Sequence, residues 1–122
     1  SVDPNDGLLM APGVTLPRLL KRNKLDFDKI DLVEVHEAFA GQVLCNRAAW
    51  AQGWKEPAIG EIPEEKFNVT GSSLALGHPF SATGGRIMTT MANELKRRGA
   101  KKGLVSICAA GASASAVLIS RD

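Results

Sequence analysis

Three side chains in this 122-residue sequence have the right type and setting for proton-transfer chemistry. His78 lies in "GHPFSATGGR", between Gly77 and Pro79, His36 lies in "VEVHEAFA", and Cys108 closes "LVSIC" ahead of "AAGASAS". The sequence holds two histidines and two cysteines in all. Pro79 cannot donate a backbone hydrogen bond and suits the first position of a helix, which places His78 at or just before the N-cap. The free N–H groups of a helix end favour an anion, and they favour a neutral imidazole over a charged one. A neutral imidazole can take a proton from a thiol and so activate it. The competing reading is a capping histidine satisfied by backbone groups, and the residue pattern alone favours that plainer role. Cys108 falls at a strand end, followed by small residues that let backbone amides approach a ligand. Its thiol could exchange protons or act as a nucleophile, although most free cysteines are small buried hydrophobes. Cys45, in mid-helix, suits the buried role better, so Cys108 is expected to be the more reactive thiol, its pKa lowered by the nearby helix end.

The elements that position these groups follow from pattern. "TLPRLLKRNKL" predicts a helix with Pro17 in its first turn and an apolar face of Leu16, Leu19 and Leu20. "IDLVEVHE" predicts a strand, with Val33 and Val35 on one face and Leu32, Glu34 and His36 on the other. "EAFAGQVLCNRAAWAQG" predicts a helix with Phe39, Val43, Arg47 and Trp50 on one stripe and Gly53 as its stop. His36 and Glu37 then sit at a strand-to-helix corner, where open α/β sheets gather ligands. "WKEPAIGEIPEEKFNVTGSS" reads as an irregular excursion, a kind of segment that often carries function. A helix opened by Pro79 runs to Gly99 with Ile87, Met88, Met91 and Leu95 on one stripe. Inside it, Gly84 and Gly85 each cost about 1 kcal/mol against alanine, a cost expected where another backbone or a ligand packs closely. "GLVSICAAG" and "SASAVLIS" predict two strands joined by a small-residue turn. The alternation implies an α/β fold, layered α/β/α.

Composition excludes several classes. A net charge of +2 and 5% aromatic residues argue against a nucleic-acid binder, and "KRRGAKK" reads as a solvated helix end. Hydrophobic residues make up 44% and charged residues 23%, the balance of a globular chain. The least polar stretch, residues 104–120, is too short and too interrupted to span a membrane. No secretory signal opens the sequence, and two cysteines outside any C-x-x-C pair suggest free thiols in a reducing compartment. The cysteines and histidines form no metal-ligand set.

Together, "HEAFA", "NVTGSSLALGHPFSATGGR" and "CAAG" resemble the C-terminal half of a thiolase, in order and spacing, from "DPNDGLLMAPG" onward. "HEAF" in place of the commoner "NEAF" resembles the thiolase subunits of fatty-acid β-oxidation complexes. The resemblance implies one thiolase-like lobe spanning residues 1–122: a mixed sheet with helices on both faces, its first strand lying before Ser1. It implies an acyltransferase that cleaves 3-ketoacyl-CoA with CoA, or condenses two acetyl-CoA molecules, without a further cofactor. It assigns His78 to activating a nucleophilic cysteine and to an oxyanion hole, Cys108 to acid/base work, and His36 to the task of the family's asparagine. Gly77, Ala110, Gly111 and Phe39 fall at oxyanion or substrate-binding positions. The nucleophilic cysteine belongs to the family's N-terminal half, so the isolated chain is expected to be inactive. Implied partners are that half, a second copy of the chain and a hydratase/dehydrogenase subunit. The implied setting is the bacterial cytoplasm, with the mitochondrial matrix as the alternative. Ala110, Ala112 and Ala114 stand at glycine positions of the family pattern, which suggests a reshaped turn. A non-catalytic thiolase-like docking or dimerisation module is the competing function. The enzyme reading requires His78, Cys108 and His36, 42 and 30 positions apart in sequence, to meet at one pocket.

Overall fold

The computed structural model describes residues 1–121. Its elements are α1 (Pro12–Asn23), β1 (Leu32–Val35), α2 (Ala40–Gln52), the short α3 (Ser73–Leu76), α4 (Thr83–Arg98), β2 (Lys102–Ala109) and β3 (Ser113–Ser120). Single 3-10 turns at Pro4–Asp6, Phe27–Lys29 and Glu64–Lys66 punctuate the connections. The sheet order is β1-β2-β3. β1 runs parallel to β2, with Leu32 beside Gly103 and Val35 beside Ser106. β3 returns antiparallel, with Cys108 opposite Ala114.

Both faces of this mixed sheet are covered, because both faces of its central strand are apolar. Val33, Val35 and Leu104 pack with Leu16, Leu19 and Leu20 of α1 and with Val43 and Trp50 of α2. Leu32 and Val105 pack with Ile87, Met91 and Leu95 of α4. The α/β/α layering read from the alternating elements is therefore present. Trp50 also satisfies its indole N–H on the carbonyl of Pro12 at 2.9 Å, tying α2 to the start of α1. The excursion between α2 and α3 closes over one edge: Phe67 bridges Val33, and Asn68 completes the edge with its side chain. Asn68 Oδ1 accepts from Val35 N at 2.7 Å, and its Nδ2 donates to Val35 O at 3.0 Å. An amide side chain thus stands in for a neighbouring strand at the end of β1.

Several local expectations need correction. α1 starts at Pro12, so Pro17 lies inside the helix rather than in its first turn. Burial of Leu16, Leu19 and Leu20 on either side of Pro17 outweighs the one backbone bond that it removes. α4 starts at Thr83, not Pro79. Pro79 instead makes a turn whose carbonyl accepts from the N–H groups of Ala82 and Thr83. Gly84 and Gly85 therefore occupy the first turn of the helix, where glycine costs less. A Cβ at Gly84 would meet only Ile107 at 3.9 Å, and one at Gly85 would meet open space, so packing within this chain does not demand either glycine. On the α2 stripe Val43 and Trp50 are buried, but Phe39 is exposed. The turn after β2 keeps glycine-like geometry despite its alanines: Gly111 has φ +84° and Ala112 has φ +55°. Ala112 is fully buried, and its carbonyl accepts from Val2 N at 2.9 Å. Left-handed geometry costs an alanine about 1–2 kcal/mol, which these contacts oppose.

Gly103 carries the tightest constraint in the sheet. A Cβ there would lie 2.8 Å from Met91 Cγ and closer still to its sulfur, with Leu95 Cδ1 at 3.3 Å. Met91 is buried and has little room to swing away. Gly103→Ala is expected to destabilise the fold by about 1–3 kcal/mol through overpacking. A urea titration should show a lower midpoint with unchanged slope, and the loss should shrink in a Met91→Ala background. Equal losses in both backgrounds would contradict the clash.

Candidate active site

The site forms where β2 outruns its neighbour. β1 ends at Val35 beside Ser106, while β2 continues to Ala109. The chain leaving β1 turns away through His36, Glu37 and Ala38 and starts α2 after Phe39. The gap beside Ile107, Cys108 and Ala109 becomes a pocket of about 620 Å³. His36, His78 and Cys108 all line it. Leu9, Ala38, Phe39, Phe80 and Ala110 supply much of the remaining, largely apolar wall. Strand alternation would put Cys108 on the face of Leu104 and His36 on the face of Leu32. The pocket lies beyond the carboxyl end of β1, so it is open to groups from both faces. Gly77 and Gly111 are not in the wall, although both shape the adjoining loops with φ values of +86° and +84°.

His36 is fully buried, and its ring centroid lies 4.2 Å from that of His78. Its Nδ1 is 2.7 Å from Ser73 Oγ. The His36 pKa is held below the ordinary histidine value, chiefly by burial, then by the neighbouring His78 and Arg86 charges, with Glu37 opposing. At neutral pH this ring is uncharged. His78 is not an N-cap residue, because α4 begins five positions later. A side-chain bond connects the two instead: His78 Nδ1 lies 2.7 Å from Thr83 Oγ1, and that hydroxyl donates its proton to Pro79 O at 3.1 Å. Having spent its proton, Thr83 must accept from His78 Nδ1–H. The bare lone pair of His78 is then on Nε2, the arrangement a base requires. The orientation of the His78 ring nitrogens is thereby set by one threonine.

Cys108 departs from expectation in its reactivity. It is buried, and desolvation pushes its thiol pKa up, with backbone N–H groups of Cys108 and Ala38 acting the other way. The expected net lowering is not found, because desolvation outweighs the backbone groups that act to lower it. Cys45 is the exposed cysteine, on the outer side of α2 and outside the pocket wall. Both cysteines are free. A thiol that stays protonated at neutral pH suits an acid better than a nucleophile.

Motif reading missed the groups that hold this site. Glu34 is a buried carboxylate whose Oε1 accepts from Ser72 Oγ at 3.1 Å and from Arg86 Nη1 at 3.5 Å. Burial pushes its pKa up, and Ser72 and Arg86 pull it back. Glu37 accepts from Asn68 Nδ2 at 2.8 Å and from the N–H of Leu74 at 3.1 Å, joining the β1–α2 corner to α3. The available signal was Glu34 itself, a charge placed on the same strand face as Leu32. Among the described residues, no group of three or more His, Cys, Asp or Glu side chains is placed to hold a metal ion. No helix among them is long and apolar enough to cross a membrane. In "KRRGAKK", Arg97 and Arg98 pair with Glu94, whose carboxyl is pushed down to about 2 by hydrogen bonds from both.

A family model described as "Thiolase, C-terminal domain" matches residues 1–121. The chain belongs to the thiolase family. This thiolase domain is 44% identical over 126 aligned residues to a 3-ketoacyl-CoA thiolase of Shewanella amazonensis, covering 98% of the chain and 29% of that relative. It is 42% identical to the mitochondrial trifunctional enzyme subunit beta of Bos taurus, covering 98% of the chain and 26% of the relative. An acetyl-CoA acetyltransferase from Syntrophomonas wolfei superposes with a TM-score of 0.81 at 42% identity, over 93% of this chain and 27% of that one. Human mitochondrial 3-ketoacyl-CoA thiolase gives 0.79 at 35% identity, over 91% and 26%. The thiolase domain thus spans little more than a quarter of the relatives it matches.

Two outcomes follow from the geometry. Limited iodoacetamide labelling of the folded domain, mapped by mass spectrometry, should modify Cys45 before Cys108, and the reverse order would contradict the burial. Stability should fall as pH drops from about 7 to about 5, because unfolded His36 takes up a proton that the buried ring refuses. Glu34, with its raised pKa, acts in the opposite direction. Urea midpoints of His36→Asn should therefore show a smaller acid-side loss than the unsubstituted domain, and an unchanged loss would exclude His36 as its source.

Proposed function

We propose that this domain supplies the acid/base half of a 3-ketoacyl-CoA thiolase site, moving an acyl group between an enzyme cysteine and CoA in fatty-acid breakdown. The observation that carries this reading is the convergence of His36, His78 and Cys108 on one apolar pocket. The substrates are 3-ketoacyl-CoA and CoA, and the chemistry uses no further cofactor. His78 Nε2 takes the proton of a cysteine from the N-terminal half of the enzyme, and the resulting thiolate attacks the 3-keto carbon. The bond between carbons 2 and 3 breaks, and its electron pair passes to carbon 2 of the departing acyl-CoA. Cys108 S–H donates the proton that carbon 2 needs. In the second step the Cys108 thiolate takes the proton of the CoA thiol as the CoA sulfur attacks the acyl-enzyme thioester, which regenerates Cys108 S–H and releases the enzyme cysteine as a thiolate still paired with His78. Splitting the transfer this way replaces one difficult step by two easier ones. The same groups run in reverse would condense two acetyl-CoA molecules.

The exposed apolar side chains support a partner lobe. Phe39 and Phe80 stand at the pocket, 65% and 84% exposed, and Leu74 and Leu76 on α3 are exposed as well. An N-terminal thiolase half, a second copy and a hydratase/dehydrogenase subunit are the partners this reading implies, in the bacterial cytoplasm or alternatively the mitochondrial matrix. Gly77, Ala110, Gly111 and Phe39 belong to it as oxyanion or substrate-binding positions, with Ala110 and Phe39 acting directly at the wall. The non-catalytic alternative is not favoured, since a docking module has no need of two histidines and a thiol at one pocket.

The chain alone is expected to show no thiolysis above background, because Cys45 lies outside the pocket and Cys108 retains its proton. Mixed with the N-terminal half of a 3-ketoacyl-CoA thiolase, it should consume 3-ketoacyl-CoA in the presence of CoA, followed by absorbance. His78→Ala should lower that rate by about 10²–10⁴-fold. Turnover by the chain alone that His78→Ala abolishes would overturn the assignment and make Cys108 the nucleophile.

A further inference from the structure

Ser73 Oγ sits between two partners, 2.7 Å from His36 Nδ1 and 3.0 Å from Arg86 Nη2. A hydroxyl has one proton to give and two lone pairs to accept with, whereas a guanidinium only donates. Ser73 therefore accepts from Arg86. Ser73 is 5% exposed, so its own proton needs a protein acceptor. Among the described residues, the one acceptor paired with that hydroxyl is His36 Nδ1. His36 Nδ1 is then the accepting nitrogen, and the ring proton resides on Nε2. The opposite arrangement holds at His78, where Thr83 accepts from Nδ1–H and leaves Nε2 bare.

We propose that Ser73 and Arg86 are positioning residues that hold His36 in its Nε2–H form, so that the paired rings offer a hydrogen-bond donor and a base to one pocket. Glu34 anchors the relay: its carboxylate accepts from Arg86 Nη1 at 3.5 Å and from Ser72 Oγ at 3.1 Å. Arg86 also acts electrostatically, since its charge opposes a second proton on His36. Burial and His78 act in the same direction, and Glu37 opposes them. The inference deepens the thiolase reading. An Nε2–H donor in an apolar pocket suits a carbonyl oxygen whose negative charge grows during reaction. A histidine locked in the other form would present a lone pair there and repel that oxygen.

The test reads ring protonation without any turnover, so its outcome is separate from that of the activity assay. Two-bond proton–nitrogen correlations of the ¹⁵N-labelled chain distinguish protonated from bare ring nitrogens, and His78→Gln assigns the two rings. The unsubstituted chain should show His36 with Nε2 protonated and Nδ1 bare, and His78 with the reverse. Arg86→Met should mix the His36 forms and raise its titration midpoint. Arg86→Lys, which keeps a charged donor, should restore the original pattern. Ser73→Ala should also remove the preference. A proton on Nδ1 of His36 in the unsubstituted chain would overturn the proposal, whether or not the variants fold. An Arg86→Met chain with unchanged His36 form and midpoint would overturn it too.

Discussion

A buried carboxylate organises this domain. Glu34 points from β1 into the interface with α4, where an unpaired charge would be strongly unfavourable. Arg86 from the first turn of α4 and Ser72 from the start of α3 compensate it. Losing one partner of such a pair typically costs about 3–5 kcal/mol, because the other charge is left behind. The same arginine then reaches Ser73, and Ser73 reaches His36. One electrostatic requirement therefore ties together the strand that delivers His36, the loop that delivers His78 and the helix behind both.

The second constraint is the unequal length of two parallel strands. β1 stops at Val35, and β2 runs on to Ala109. The missing strand length opens the pocket, and the chain leaving β1 lines it. Asn68 and Glu37 prevent that corner from fraying, the first by completing the sheet edge and the second by holding the N–H of Leu74. The corner after β1 and the loop before α4 hold the two rings 4.2 Å apart, a closeness eased by the burial that keeps the His36 pKa below the ordinary histidine value.

The pocket separates its proton carriers by environment. Cys108 is desolvated and keeps its proton, and His78 is left with a bare Nε2 by a threonine that has already donated. On the proposed thiolase reading these settings are complementary, since a protonated thiol and a bare ring nitrogen share one apolar space. The exposed phenylalanines at its mouth leave that space open to solvent in the single domain, and a covering lobe would strengthen every electrostatic interaction inside it.

Periodicity determined much of this protein. The apolar stripes of α1 and α4, the alternation in β1 and the small-residue turn between β2 and β3 were all legible, since each depends on neighbours close in sequence. Three motifs in order were enough to name the family and to single out His36, His78 and Cys108. Helix boundaries near proline were not legible: Pro17 lies within α1, and Pro79 precedes α4 by a turn, because packing outweighed local preference. Nor was the contrast between the cysteines, since exposure depends on which helix face meets the sheet: Cys45 faces out, and Cys108 is covered. The protonation of the site was decided only in three dimensions. Ser73 and Arg86 come 37 and 50 positions after His36, and only the folded chain brings their hydrogen-bonding groups to its ring, directly and through Ser73.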